Sequence, residues 1–551
     1  MDNKKVSIIN KIYSFTQKNK LVGEFASLIL SLLVFFSGVI LIVSATIPGV
    51  IDRMKFASEI FSTPIMHISN RLSLLIGFML LIIFFDIKHK VKRSFYWTAI
   101  LLIVGAVFTF MKGFDFEEAI ALFIVFIILL FSKNSFYRES YPINKTMILV
   151  FFLISILSVF FSSVVGSHLS IEFLKRNNSY TNLVIHPKTL ISSSIVSFIM
   201  AWGIIGFYVA TNRKLNLSST IDESMEQRLE DFLTKYEGNI FTQLLYLRDK
   251  NIYWSKNGRA LVGYTYIDNV IVALGDLIGD PETIPTIIDE FQSYFDNYGY
   301  ETSFVNVNNK NLDMYHDKGY NFFKVGEEAI VDLSKFDMSS PDKAYFRNII
   351  RKFNKTGFEF KVLEPPYDVE FLNRLEEISD KWLNGRKEKG ISMGFFDRHY
   401  LSKTSIGIVH NQNGDIEAFI SLINCYDKKN MAVDLMRHNK EAPSGCMDFI
   451  FASILEWAKE NNYKYFSLSI SPLVGVGNSK FSHGYEKIAE LMYKHGTKFY
   501  NFEGLRKFKN KFNPQWEQRY LVYRKRVSLM KIILKLNGFD NNNRKIKKLN
   551  K

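Results

Sequence analysis

The sequence predicts an α-helical transmembrane bundle of about six spans, followed by a large α/β region. Two observations carry this prediction. Long apolar runs crowd the chain before residue 211, and from about Leu215 they give way to alternating helix and strand patterns of ordinary polarity.

Six apolar runs have lengths near that of a membrane-spanning helix, which needs about 20 residues. The first run is too long for a cleavable signal peptide, and five more follow it. The second and fourth are short and need flanking residues to cross a bilayer. The runs are Leu28–Ile47, Leu72–Phe85, Phe95–Phe110, Ala119–Phe131, Met147–Val165 and Leu190–Ala210.

Lysine and arginine in the short connections predict the orientation, because these residues favour the cytoplasmic side. They concentrate before the first run and in residues 86–94 and 132–146, whereas residues 111–118 are acidic on balance. The connection between the fifth and sixth runs is also basic, which weakens the pattern. We therefore expect a cytoplasmic N-terminus, six crossings and a return to the cytoplasm at Asn212.

Few charged residues fall within the apolar runs. A transporter more often buries ionisable groups at such positions. The pattern therefore favours a membrane anchor over an ion-coupled pump.

The region after Leu215 repeats one order of elements: a helix, strands, a second helix and a further strand. The first helix is predicted at Ile221–Tyr236, and the second copy of the pattern starts near Pro341. This order is typical of an acyltransferase-like α/β domain, so two such units in tandem are expected. The predicted divisions are 1–211 for the bundle, 215–335 and 340–530 for two subdomains, and 531–551 for a basic tail.

The distribution of charge and the number of cysteines limit the kinds of partner and site that the chain could have. The segment from Arg506 to Lys551 holds 15 lysines and arginines against two acidic residues, in a chain of net charge +15. Such a segment suits nucleic acid or an anionic membrane, or is a solvated tail. The two cysteines, Cys425 and Cys446, are too few for a disulfide framework or a cysteine-based metal site.

Nucleotide and metal motifs are missing from the sequence. It contains no P-loop and no dinucleotide fingerprint, and the glycines of Gly275–Asp280 are read as a turn. The ten histidines do not cluster at metal-ligand spacing. We therefore expect neither a catalytic metal nor a cofactor.

Three local motifs are candidates for a site. Val433–Arg437 ends an apolar strand, where Asp434 and Arg437 either share a crevice or form a strand-end salt bridge. Positions three apart on a regular strand face opposite sides, so a shared site requires a bulge or the strand end. The turn at Gly445 opens a helix whose free N–H groups suit an anion or a simple cap. Phe502–Trp516 interleaves basic and aromatic residues, which suits nucleic acid, an anionic bilayer or a solvated core edge.

Segments spread over about Ile221–Lys525 resemble the C-terminal domain of the phosphatidylglycerol lysyltransferases, the multiple peptide resistance factor family of bacterial membrane proteins. The segments occur in the family's order. They are Arg347-Asn348-x-x-Arg351-Lys352, Trp382-Leu383 with Arg386-Lys387-Glu388-Lys389, Ser392-Met393-Gly394-Phe395-Phe396, Val433-Asp434-Leu435-Met436-Arg437, Gly445-x-Met447-Asp448-Phe449, and Phe502-x-Gly504-Leu505-Arg506-x-Phe508-Lys509-x-Lys511-Phe512-x-Pro514-x-Trp516-x-x-Arg519-Tyr520. Longer members of this family carry further N-terminal helices that form a flippase. The resemblance is therefore to a shortened transmembrane region, and we predict synthesis without flipping.

The resemblance implies a tandem acyltransferase (GNAT-like) fold and an aminoacyl transfer reaction. A lysyl or alanyl group, most often lysyl, would move from aminoacyl-tRNA to the headgroup hydroxyl of phosphatidylglycerol. The implied partners are aminoacyl-tRNA, phosphatidylglycerol and the anionic membrane, with a homo-oligomer left open. The implied location is the bacterial cell membrane, with both termini and the catalytic domain in the cytoplasm. The product would lower the negative membrane charge and give resistance to cationic antimicrobial peptides.

The family pattern also implies site residues, all numbered here in this sequence. The catalytic positions carried over lie in the second subdomain and are Asp434, Arg437 and Lys509. The positions expected to bind substrate are Arg506, Lys511, Gly445, Arg347 and Arg351.

The chemistry of the reaction agrees with these residue types. An aminoacyl ester is already activated, and its transfer needs the acceptor hydroxyl near the ester carbonyl and donors for the oxyanion. Arg437 and Lys509 are candidates for phosphate or oxyanion binding. Asp434 is a candidate for holding the donor's α-ammonium or, if burial raises its pKa, for proton transfer. The alternatives are an acyltransferase that uses acyl-CoA or a cell-wall peptide precursor, and a non-enzymatic membrane sensor or transporter.

Overall fold

The computed structural model describes residues 20–142, 145–176, 185–211, 215, 217, 221–386, 388, 393–427, 429–495, 502–524, 529 and 532–533. It separates into two compact units. One is helical and comprises the chain up to Leu215 together with Asp296–Tyr300. The other contains the remainder and is built on a sheet. The predicted basic tail, 531–551, lies almost entirely outside the described residues.

The helical unit places each of the six apolar runs on a helix. Five described helices are long and apolar enough to cross a membrane. The fourth run forms Phe116–Phe131, whose 16 residues rise only about 24 Å, against a hydrocarbon core of about 30 Å. The helices are α1 Lys20–Thr46, α2 Ile51–Ile60, α3 Thr63–Lys88, α4 Lys92–Gly113, α5 Phe116–Phe131, α6 Lys145–Phe161, α7 Ser167–Arg176 and α8 Pro187–Ala210. A π-helical turn, Ser162–Gly166, joins α6 to α7, and the two together form one of the five helices long enough to span.

The observed helices extend beyond the apolar runs, and their ends bring ionisable groups into buried positions. Lys112, near the end of α4, is buried and pairs with Asp115 at 3.1 Å. Its ammonium also donates a hydrogen bond to the Ser44 hydroxyl at 2.6 Å. The near-absence of charge that the sequence indicates therefore holds for the middle of the runs but not for the helix ends.

The second unit combines one mixed sheet with helices on its faces. Its described strands are β1 Asn251–Trp254, β2 Ala260–Ile267, β3 Val270–Leu274, β4 Ile278–Gly279, β5 Glu301–Asn308, β6 Asn321–Asp332, β7 Glu359–Leu363, β8 Ser405–His410, β9 Ile416–Asn424, β10 Asn430–His438, β11 Tyr465–Pro472 and β12 Gln515–Tyr523. Its described α-helices are α9 Glu223–Tyr236, α10 Ile284–Asp296, α11 Leu312–Asp317, α12 Ala344–Lys355, α13 Val369–Leu383, α14 Arg398–Leu401, α15 Cys446–Glu460, α16 Gly484–His495 and α17 Phe502–Asn510.

The strand order shows how the two repeats are joined. The sheet runs β1-β2-β3-β5-β12-β6-β11-β10-β9-β8-β7, with β4 paired to β2. The last strand of the first repeat, β6, pairs with β11 of the second, while the last strand of the second repeat, β12, pairs with β5 of the first. The repeats thus exchange their final strands, and the predicted tandem acyltransferase-like fold is one continuous sheet.

A buried ion pair between Arg519 and Glu328 links the exchanged strands β12 and β6. Arg519 on β12 donates its Nε–H to Glu328 on β6 at 2.7 Å, and the Ser467 hydroxyl on β11 also donates to Glu328. Glu328 is only 1% exposed. Three strands from both repeats therefore depend on one desolvated carboxylate.

Replacing Arg519 with methionine is expected to lower the free energy of unfolding of this unit by about 3–5 kcal/mol, because Glu328 stays buried without its main countercharge. Urea unfolding of the purified chain in detergent, followed by tryptophan fluorescence, measures the change. Lys335→Met is the control, since Lys335 is exposed and pairs at the surface with Asp332, so its effect should stay within about 1 kcal/mol. A loss in Arg519→Met no larger than in the control would contradict the assigned role of the pair.

Candidate active site

The sheet opens between two of its central strands. Strands β10 and β11 run parallel and pair only at Asn430–Ala432 with Tyr465–Ser467. Beyond this ladder, each strand continues with its outer neighbour instead, β10 with β9 and β11 with β6. Both strands also change register at this level, between Val433 and Met436 and between Ser467 and Ile470. The carboxyl ends of the two strands therefore diverge, and ligands commonly bind at such a gap in an α/β sheet.

The irregularity in β10 explains how the side chains of Asp434 and Arg437 come within range of each other. Three residue steps on β10, from Val433 to Met436, face two steps on β9, from Leu422 to Ile420. This extra residue is a β-bulge, which breaks the alternation of side chains. The two charged side chains interact electrostatically as a result. The bulge that the sequence interpretation required for a shared site is present.

Asp434 is held by donors on both carboxylate oxygens. The Tyr400 hydroxyl donates at 2.7 Å to Oδ2, and the Gly394 backbone N–H donates at 2.9 Å to Oδ1. Lys250 and Arg437 also favour the ionised form. Burial outweighs these contacts and raises the pKa of Asp434 above its ordinary value. The carboxylate is therefore held in one orientation, and an additional cation beside it would stabilise its ionised form.

Arg437 is 7% exposed and is fixed from two sides. Its guanidinium pairs with Glu388 at 2.9 Å and lies over the Trp382 ring at 4.2 Å from the ring centre. Burial lowers the pKa of Arg437, although Glu388 opposes that change. Its buried Nε–H has no hydrogen-bond partner among the described residues. A buried donor without a partner is costly, so this N–H is suited to a ligand oxygen.

Lys509, on α17, is 4% exposed and lies against β11. Its Nζ donates to the backbone carbonyl oxygens of Ser469 at 2.9 Å and Ile470 at 3.0 Å. Ser469 adopts a left-handed conformation, φ +70°, inside the β11 irregularity, where the pairing with β6 is interrupted. Burial lowers the pKa of Lys509 to about 7, although the Glu328 carboxylate opposes the change. Near pH 7 the amine is therefore divided between its neutral and its charged form.

Gly394 controls the position of Asp434. A Cβ at this residue would lie 1.8 Å from Asp434 Oδ2, and the carboxylate would have to move. Gly394→Ala is therefore expected to displace Asp434 and to abolish the activity of the site while leaving the unit folded. Activity and circular dichroism of the full-length protein check this. The control is Gly484→Ala, whose Cβ would meet nothing within 4 Å; equal activity in the two variants would contradict the argument.

Two of the residues expected to bind substrate, Lys511 and Gly445, lie at the N-terminal end of α15. Lys511 pairs at 2.9 Å with Asp448, which lies in the first turn of α15. The Tyr345 hydroxyl also donates a hydrogen bond to Asp448. Gly445 is the N-cap of α15 with φ +92°, a conformation that glycine adopts without strain. With Asp448 already in that first turn, an acidic group of the protein itself lies near the helix N-terminus.

The three arginines expected to bind substrate have different surroundings. Arg347 donates to the carbonyl oxygens of Met338 and Ser340, both at 2.6 Å, and so holds the loop before α12. Arg506 approaches Glu327 at 3.5 Å and lies over the Trp516 ring. Arg351 is exposed on α12. The structure thus brings Asp434 and Arg437 together and places Lys509, on α17, against the neighbouring strand β11. The five substrate-binding assignments stay predictions.

Sequence reasoning missed several groups around Asp434 and Arg437. Lys250 is almost fully buried just before β1, and nothing in its local pattern marked it. Tyr400 lies on a four-residue helix with no motif of its own. Trp382, Glu388 and Gly394 lie in segments that carried the family resemblance, and that was the available signal, but they received no role. Their contacts with Asp434 and Arg437 now give them one.

Comparison with known proteins agrees with this architecture. The family described as "Phosphatidylglycerol lysyltransferase, C-terminal" matches residues 230–523, more than half of the chain. A phosphatidylglycerol lysyltransferase of Bacillus subtilis (strain 168) is 34% identical over 91% of this chain and 58% of its own length. One of Staphylococcus aureus (strain COL) is 30% identical over 95% of this chain and 61% of its own length. This chain therefore spans about three fifths of the length of these relatives.

Solved structures match the sheet-containing unit. The structure of L-PGS from Bacillus licheniformis aligns with a TM-score of 0.54 and 37% identity, over 60% of this chain and 99% of that one. The C-terminal domain of a putative lysylphosphatidylglycerol synthetase from Agrobacterium fabrum aligns with a TM-score of 0.51 and 30% identity, over 57% of this chain and 97% of that one. On the extent of the family match, the chain belongs to the phosphatidylglycerol lysyltransferase family.

Proposed function

We propose that this protein is a membrane-bound aminoacyltransferase that moves a lysyl group from lysyl-tRNA to the headgroup hydroxyl of phosphatidylglycerol. The observation that carries the proposal is that each strand bordering the gap holds one buried cationic side chain. Arg437 on β10 has an Nε–H without a partner among the described residues, and the amine of Lys509, bound to the β11 carbonyls, has its pKa lowered to about 7. Family membership supplies the substrate class. The product exchanges part of the membrane's negative charge for positive charge, which weakens the attraction of cationic peptides.

Lys509 is proposed as the proton acceptor for the lipid hydroxyl. A neutral amine has two N–H donors and one lone pair, and the two donors are matched by the Ser469 and Ile470 carbonyl oxygens. The lone pair is then left for the hydroxyl proton. This role replaces the phosphate or oxyanion binding that the sequence suggested, because two backbone carbonyls already occupy the donors. A base with a pKa near the working pH is close to optimal.

Arg437 is proposed to stabilise the oxyanion. As the hydroxyl oxygen bonds to the ester carbonyl carbon, negative charge develops on the carbonyl oxygen, and the Nε–H is available to donate to it. Collapse of this intermediate breaks the bond to the tRNA ribose oxygen. That oxygen takes the proton that Lys509 had accepted and leaves as a free hydroxyl, which returns the amine to its neutral form. Glu388 and Trp382 act as positioning residues for the guanidinium.

Asp434 is proposed to bind the α-ammonium of the aminoacyl group. Its raised pKa would also permit a base role, but both oxygens already accept hydrogen bonds that fix the carboxylate. An additional cation relieves the cost of its burial. No cofactor is needed, because the aminoacyl ester is already activated.

The transfer itself is tested with membranes that contain the full-length protein, lysyl-tRNA labelled in its lysyl group, and phosphatidylglycerol. A labelled lipid whose formation is prevented by RNase treatment of the donor supports the proposal. Transfer from alanyl-tRNA alone would reassign the amino acid. Transfer of label from acyl-CoA, with none from aminoacyl-tRNA, would overturn the reaction class.

The active site is proposed to face the cytoplasm, where aminoacyl-tRNA is found. With the residues before α1 in the cytoplasm, as their lysines predict, this orientation needs an even number of crossings. It therefore requires the short α5 to cross the bilayer. The residues of α5 are apolar apart from two glutamates in its first turn, and local thinning of the bilayer accommodates a short span at modest cost.

Labelling from outside the cell tests the α5 crossing. We expect a membrane-impermeant maleimide to label Ser62→Cys, between α2 and α3, but to leave Asn134→Cys, after α5, unlabelled until the cells are permeabilised. Both positions are exposed, and the native Cys425 and Cys446 are buried. Labelling of both variants in intact cells would mean that α5 does not cross.

A further inference from the structure

An exposed apolar ridge lies on the segment between β11 and α17, the two elements that hold Lys509. It consists of Phe481, Ile488 and Leu491, which are 84%, 53% and 59% exposed. Among the described residues, no large apolar side chain is more exposed than Phe481, including those on the apolar helices of the first unit. An apolar surface of this kind marks an interaction site more often than an accident of packing.

The ridge is separate from the core-facing side of its own helix. On α16, Tyr485, Ala489 and Met492 pack into a core cluster with residues of the β11–α16 connection and of β12. These three recur at helical spacing and satisfy the fold. Ile488 and Leu491 lie on a neighbouring face that the fold does not cover. Packing of the core therefore does not explain why these two side chains are apolar.

Basic residues border the ridge. Lys480 precedes Phe481 and lies 4.9 Å from its ring centre. At 100° per residue, Lys487 and Lys494 fall beside Leu491 on the outer flank of the ridge, while Glu486 and Glu490 fall on the far side of α16. Glu490 pairs with both lysines, at 2.9 and 2.8 Å. Lysine beside exposed phenylalanine, isoleucine and leucine is the pattern of a helix that lies at a membrane surface.

We propose that the Phe481–Ile488–Leu491 ridge inserts into the surface of an anionic phospholipid bilayer. The occupant is a bilayer because the exposed side chains are apolar while their border is basic, which matches acyl chains beneath anionic headgroups. The contact does not depend on the reaction proposed above. The consequence of the contact for catalysis rests on the proposed function. Because the segment joins β11 to α17, insertion would bring the surroundings of Lys509 to the level of lipid headgroups.

The direct test uses full-length protein in vesicles of phosphatidylglycerol and phosphatidylcholine. Phe481→Cys carries an NBD fluorophore, and labelling is selective because Cys425 and Cys446 are buried. The matched control is NBD on Val369→Cys, an equally apolar and 67% exposed position at the start of α13. We expect lipids brominated in their acyl chains to quench the label at 481 several-fold more than the label at 369, and aqueous iodide to show the reverse.

Three outcomes would overturn the proposal. Equal access of iodide to both labels would mean that the ridge stays in water. Shielding at 481 that persists in detergent and grows with protein concentration would identify a second copy of the chain as the occupant. Shielding that persists in detergent at all concentrations, without quenching by brominated lipid, would identify a surface of the same molecule.

A kinetic variant separates this contact from the reaction itself. Phe481→Ser/Leu491→Ser should raise the apparent KM for phosphatidylglycerol in vesicles roughly tenfold, with kcat retained, since two partly inserted side chains are lost. Val369→Ser should change neither constant. If no transfer is detected in any form of the protein, the proposed function fails, and the quenching result still decides the membrane contact. An unchanged KM together with unquenched label at 481 would refute the ridge as a membrane site.

Discussion

Lys509→Met is expected to lower the rate of aminoacyl transfer by about 10²–10⁴-fold, the usual contribution of a general base. Methionine keeps the length of the side chain but has no lone pair that can accept the hydroxyl proton. Single-turnover transfer from labelled lysyl-tRNA to phosphatidylglycerol measures the effect. Lys507→Met is the matched control on the same helix, because the Lys507 side chain is 81% exposed, and its activity should stay close to that of the native protein.

The dependence of the transfer rate on pH tests whether Lys509 acts as a base. Below its pKa of about 7 the amine carries a third proton and cannot accept another. Transfer in the native protein should therefore rise with pH through about 7, whereas the residual transfer of Lys509→Met should lack this rise. Lys509→Arg keeps a permanent charge and should be as inactive as the methionine variant. Substantial activity in Lys509→Arg would contradict the base role and favour a purely electrostatic one.

Arg437→Lys is expected to lower kcat by about 10²–10³-fold, the usual loss when one oxyanion donor is removed. Lysine keeps the positive charge but has no Nε–H at that position and no planar group to stack on Trp382. The control is Arg386→Lys, which replaces the other guanidinium near Trp382, 4.8 Å from its ring centre. Arg386 is exposed, so this change should cost far less.

The comparison of KM with kcat distinguishes the proposed role of Arg437 from simple substrate binding. An interaction made only in the transition state lowers kcat and leaves KM nearly unchanged. A rise in KM at constant kcat in Arg437→Lys would instead assign Arg437 to ground-state binding of a phosphate. Binding of labelled lipid to the variant provides an independent measure of the same distinction.

The local features of the chain could be predicted because they depend on neighbouring residues. The six apolar runs all lie on helices, and the predicted Ile221–Tyr236 helix is observed as Glu223–Tyr236, capped by the Asp222 side chain. The order of helices and strands also indicated the tandem acyltransferase-like fold. The run at α5 correctly predicted a helix, but it does not by itself predict that the helix crosses the membrane, because the helix is short.

The candidate site shows where such prediction ends. The motif at Val433–Arg437 indicated two charged residues, but their meeting depends on a bulge whose position is set by pairing with β9. The expected substrate residue Lys511 is bound to Asp448, and Arg347 is bound to two backbone carbonyls. A lysine in a basic, aromatic segment looks like a ligand group in the sequence, whether its partner is a phosphate or the protein itself.

The sequence by itself determined that this protein has an apolar helical part, a two-fold repeated α/β part and a small set of charged residues in family order. Only the tertiary structure decided that the repeats exchange their last strands, that Asp434 and Arg437 share a bulge, and that Lys509 is buried enough for its pKa to fall to about 7. The physical reason is that periodicity and caps are local, whereas register and desolvation depend on residues far apart in the chain.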